Sequence, residues 1–180
     1  METQTYNVYK YDELTEDQKE KAFECLYNIN IDHDWWEFYP EDSAIELKGF
    51  DIYRGDIKID FAESAQDTAA YIITNHGEKC DTYVTSAHYK KQDDELAKRY
   101  DELEKQYQAA EEEEKRDKIA EDQDDIDDKR NELAREYRDE LAQDILSLLR
   151  KEYDYLTSRE AIEETIRAND YDFTEDGSIA

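Results

Sequence analysis

From about residue 86 onward the chain contains no glycine or proline until Gly177, and apolar residues recur there at steps of three and four. Leu96, Tyr100, Leu103, Tyr107 and Ala110 form one seam. Ile119, Ile126, Leu133, Tyr137, Leu141, Ile145 and Leu148 form a second, longer one. This is the heptad pattern of helices that bury one stripe against another helix. Between the seams, over EEEEKRDK (residues 111–118), the pattern lapses. Two helices folded back as an antiparallel hairpin bury both seams together. The alternative is one continuous helix of about 65 residues, roughly 100 Å long, whose stripe stays exposed unless the chain dimerises. The hairpin is the preferred reading because it returns the C-terminal elements to those at the N-terminus.

The flanks read differently. Residues 4–11 (QTYNVYKY) alternate as a strand does. Thr15 with Gln18 makes a capping box ahead of a helix whose stripe is Ala22, Phe23, Leu26 and Ile29. Ile45, Leu47, Phe50 and Ile52, then Ile57, Ile59 and Phe61, predict a hairpin with a bulge at Gly49 and a turn at Arg54, Gly55 and Asp56. Ser64 with Asp67 caps a second helix, with Asn75, His76 and Gly77 as its left-handed exit. Thr157 with Glu160 caps a last helix, after which Tyr171 and Phe173 alternate and Gly177 turns the chain. The expected fold is α+β. A small antiparallel sheet with packed helices, residues 1–85 plus 157–180, is interrupted by a long projecting helical hairpin, residues 86–156.

Charge bounds the function. The chain has 51 acidic and 23 basic residues, a net charge of −28 over 180 residues. With 15 Tyr, 5 Phe and 2 Trp against one Pro and four Gly, it is not a disordered acidic chain. Such a surface repels nucleic acid and anionic lipid, so the expected partner is a basic protein, with neither direct nucleic-acid nor membrane binding. Two cysteines, a polar acidic start and the lack of about 18 consecutive apolar residues point to a soluble protein of a reducing bacterial cytoplasm.

Residues 111–128 concentrate the charge, with 11 acidic side chains against Lys115, Arg116 and Lys118. Part of it has a mundane explanation. Glu111 and Lys115, Glu112 and Arg116, Glu114 and Lys118, and Asp125 and Lys129 stand at i and i+4 with the acid first, a spacing worth about 0.2–0.5 kcal/mol a pair. The run Glu121, Asp122, Asp124, Asp125, Asp127 and Asp128 holds no base and weakens a helix by repulsion and poor Asp propensity. These six are the expected partner contacts, as carboxylates standing in for nucleic-acid phosphates. Solvation of a helix face is the competing reading.

Other chemistry is sparse. His76 and Cys80 form a weak metal-ligand pair, lacking the second pair a zinc site uses, so no metal or other cofactor is expected. No glycine-rich phosphate loop and no Gly-x-Ser-x-Gly is present, and a non-enzymatic role is expected. Trp35, Trp36, Phe38 and Tyr39 either wrap a corner of the core or leave one or two rings as anchors, and Trp35 and Trp36 are the candidate anchors.

Five segments, YKYDELTEDQKEKA (9–22), DHDWW (32–36), GFDIYRG (49–55), NHGEKCDTY (75–83) and REAIEETIRANDYDFTEDG (159–177), together resemble a family of small acidic proteins encoded by bacteriophages and prophages, sometimes labelled antitoxins. The resemblance implies phage origin and carries no established activity or catalytic residues; interference with a host defence complex is the expectation that phage origin suggests by analogy. In size and charge the chain is similar to anti-restriction and anti-CRISPR inhibitors. The other reading is an antitoxin-like or scaffold protein that binds its partner, or itself as a homodimer, through apolar contacts of the arm.

Overall fold

The computed structural model describes residues 7–180, apart from the side chains of Glu41 and Asp42. In chain order its elements are β1 (Tyr9–Lys10), a 3-10 turn (Tyr11–Glu13), α1 (Glu16–Cys25), α2 (Phe38–Asp42), β2 (Ile45–Asp51), β3 (Asp56–Phe61), α3 (Ala65–Asn75), α4 (Asp81–Ala109), α5 (Glu113–Leu156), α6 (Arg159–Ala168) and β4 (Asp172–Phe173). The composition is α+β and mostly helical. The expected small sheet is two sheets, because β1 pairs only with β4 and β2 only with β3, both antiparallel. No described helix is long and apolar enough to cross a membrane.

Two compact units divide the chain, Met1–Glu37 with Leu149–Ala180, and Phe38–Leu148. These boundaries differ from the expected base of 1–85 plus 157–180 and arm of 86–156. The β2–β3 hairpin and α3 belong with the long helices. Phe61 stacks on Tyr137 of α5 at 5.5 Å, and Gln66 of α3 reaches Asp93 of α4 at 3.5 Å.

The unit of the two termini is built on α1, α6 and the β1–β4 pair. The capping box forms as the sequence predicts, with Thr15 N–H donating to Gln18 Oε1 at 2.7 Å. Ala22 and Leu26 then meet Ile162, Ile166 and Phe173 in a core closed by Tyr11 and Leu14. Gln4, Thr5 and Tyr6 of the expected first strand lie outside the described residues; the described part of that strand is two residues long and passes into the 3-10 turn. The α6 cap is Ser158, whose hydroxyl accepts from Ala161 N–H at 3.2 Å, and not Thr157. Thr157 instead donates to the Tyr153 carbonyl at 2.8 Å, satisfying the last turn of α5. At Gly177 φ is +83°, and a Cβ would stand 2.5 Å from the Gln18 carbonyl oxygen, so only glycine fits this turn against α1.

In the other unit β2 and β3 form the expected hairpin, with the register shift between Leu47 and Gly49 and with Gly55 at φ 81° in the turn. Asp51 closes that turn by accepting from the N–H groups of Tyr53 and Arg54 at 3.0 and 2.9 Å. Ser64 caps α3 as predicted. The exit of α3 is not left-handed: His76 is extended, and its Nδ1 lies 2.7 Å from the Thr82 hydroxyl, which anchors the link into α4.

The long helices are separate, and the chain reverses over residues 110–112 without glycine or proline. Four consecutive glutamates repel one another in a helix, and the break falls among them. Ala110 is buried in an extended conformation, and Arg116 folds back so that its Nε donates to the Ala110 carbonyl at 2.8 Å. Glu111 and Glu112 therefore stand outside the helix.

Candidate protein-binding surface

The rotation of α5 is set by what it buries against α4. Tyr137 stacks on Tyr89 with ring centroids 4.3 Å apart, and its hydroxyl lies 2.8 Å from Ser86 Oγ. Nearer the turn, Arg130 holds the buried Asp93 with two bonds of 2.7 and 3.1 Å. Gln123 donates to Glu104 at 3.0 Å, while Ile126 and Ile119 fill the seam between. These contacts run in opposite chain directions and make the pair an antiparallel hairpin. The buried positions 119, 123, 126 and 137 and the half-buried Arg130 and Leu133 follow one another at steps of three and four.

From residue 121 to residue 128 every position outside the seam is acidic. Glu121, Asp122, Asp124, Asp125, Asp127 and Asp128 are each exposed, and none forms an ion pair among the described residues. The bases that the sequence places to neutralise the region do not do so. Among the described residues none of the four expected i to i+4 pairs closes; Arg116 is occupied by the Ala110 carbonyl and Arg130 by Asp93. The Asp93 hydrogen bond raises the pKa of Arg130, with Asp127 adding a smaller pull. The acidic zone also extends onto α4. Asp101 and Glu102 are exposed, and Glu104 is held below the usual carboxylate range by its bonds from Gln108 and Gln123. That extension needs the register between the helices, which no local pattern carries.

The other candidates lie elsewhere in the chain. Trp35 and Trp36 are half-buried and meet edge to face at 5.7 Å, with Trp35 also against Tyr153 at 5.9 Å. The most exposed ring of that segment is Phe38, at 68%. No group of three or more His, Cys, Asp or Glu among the described residues is arranged to hold a metal ion. His76 is bonded to Thr82, and Cys80 is an exposed residue at the start of α4.

No protein-family model matches the chain, and no curated protein or solved structure is similar to it. The functional reading therefore stands on geometry and charge.

Proposed function

We propose that the chain is a non-enzymatic inhibitor that occupies the nucleic-acid site of a basic protein, presenting the outer face of α5 in place of phosphates. One observation carries this reading: among the described residues, the six exposed carboxylates between Glu121 and Asp128 of α5 form no ion pair. Eight residues at 1.5 Å each span about 12 Å. The face thus offers about one charge per 2 Å, against one per roughly 1.7 Å along duplex DNA. Keeping that density unpaired costs helix stability, a cost that charge spread over the rest of the surface avoids.

The test uses a variant with the six residues changed to Asn or Gln, compared with the parent chain in capture from a bacterial lysate at low and high salt. A nucleic-acid-binding protein retained by the parent at low salt, released by salt and lost from the variant supports the proposal. Retention by the variant equal to that of the parent contradicts it.

A further inference from the structure

The flank of the hairpin carries a groove of about 440 Å³ between α4 and α5, with Leu96 and Leu133, both half-buried, among its lining residues. Its charges are sorted along its length. Asp93 lies level with Arg130 and Tyr89 with Tyr137, so Arg99 and Lys129 stand toward the turn and Glu132 and Glu136 away from it. Glu95 lies between. On a chain of net charge −28, this strip is close to neutral, with a cationic end and an anionic end.

We infer that the occupant of this groove is a second copy of the chain, related by a two-fold axis at the middle of the groove. An isologous contact requires a self-complementary patch, in which residue i meets j and j meets i. A two-fold axis here lays Leu96 on Leu133 of the second copy. It also brings Arg99 and Lys129 of each chain to the Glu132 and Glu136 end of the other. A basic partner would meet Arg99 and Lys129 as like charges, and an acidic partner would meet the three glutamates; the chain's own face satisfies both ends. The helices of the two copies then form a four-helix contact of the kind that heptad seams build. Long-range repulsion between two acidic chains opposes this pairing, whereas the pairs in the groove are at contact distance. Salt therefore strengthens the dimer, the opposite of its effect on a nucleic-acid mimic. The two proposals are separable, because the dimer needs none of the six carboxylates from Glu121 to Asp128.

The test is sedimentation equilibrium of the full chain and three variants, Arg99→Glu, Glu136→Arg and the double exchange, in about 0.3 M salt where distant charges are screened. The parent is expected to dimerise with a Kd below roughly 1 mM. Each single reversal weakens the dimer by about tenfold, and the double exchange restores it. Circular dichroism checks that each variant keeps its helices. A parent chain that is monomeric up to that concentration overturns the inference. So do single reversals without effect, or a double exchange no better than the singles.

Discussion

The terminal unit and the acidic half of α5 use the same residue types to opposite ends. In the terminal unit the cations reach acids far away in the chain. Lys10 pairs with Asp170 and Asp172, Lys21 with Asp176, Arg159 with Glu20 and Arg167 with Asp12, while both arginines also meet Glu163, four residues away on α6. Arg159 and Arg167 also cover the rings of Phe23 and Tyr11, at 4.6 and 5.2 Å. Charge there ties the two chain ends over an apolar core. Along Glu121 to Asp128 the acids form no ion pair among the described residues, and Arg130 beside them is turned to Asp93. A net charge of −28 thus says little by itself; what matters is which carboxylates the fold has already used.

The largest effect is expected where a charge of the long helices is internal. Arg130→Met leaves Asp93, 5% exposed, without its partner and should cost about 2–3 kcal/mol in urea unfolding. The double variant Asp93→Asn with Arg130→Met should recover much of that. A loss below about 0.5 kcal/mol would mean that the pair does not hold the hairpin together.

A smaller pair of effects tests the comparison itself. Glu163→Gln removes the negative charge shared by Arg159 and Arg167 and turns one of its two acceptor oxygens into a donor, which should cost about 1 kcal/mol. Asp124→Asn with Asp128→Asn should instead raise stability by a few tenths of a kcal/mol, by relieving repulsion. Destabilisation by the second change would show that those acids are structural after all.

The smallest effects are differences in pH dependence. Asp176 is held below the usual carboxylate range by bonds from the Thr174 hydroxyl, from Ser178 and from Lys21. Its contribution is present above the unfolded value of about 3.9 and lost as pH falls toward the folded one. Asp176→Asn should therefore lower Tm at pH 7 and leave it unchanged in strong acid. Asp144 is shifted the other way: burial, aided by Asp81 and Glu140, raises its pKa although Thr85 donates to it at 2.7 Å. Its charged form costs stability at neutral pH. Asp144→Asn should raise Tm at pH 7, with the gain disappearing below about pH 4. Thermal melts across pH check both signs.

Local signals in the sequence were legible: the Thr15 and Gln18 box, the Ser64 cap, the bulged hairpin and the two seams all formed where the residues place them. What was not legible depends on long-range pairing. Nothing near Tyr9 announces Phe173 as its strand partner, and the separation into two sheets follows from that pairing. Two of the i to i+4 ion pairs failed for a different reason: Glu111 and Glu112 stand outside α5, and Arg116 donates to the Ala110 carbonyl instead. The six acids of the candidate surface were readable from helical period alone. Their lack of ion pairs was not, because it depends on where Arg116 and Arg130 turn.

The proposed role of the outer face of α5 is to take the place of nucleic acid on a basic protein. Its most direct measurement is competition: the captured partner is loaded with labelled duplex DNA or RNA and titrated with the chain while fluorescence anisotropy is followed. The account predicts complete displacement that weakens steeply with salt and is lost in the six-residue Asn and Gln variant. Simultaneous binding of chain and nucleic acid to the same partner, or displacement by the variant as strong as by the parent, would contradict it.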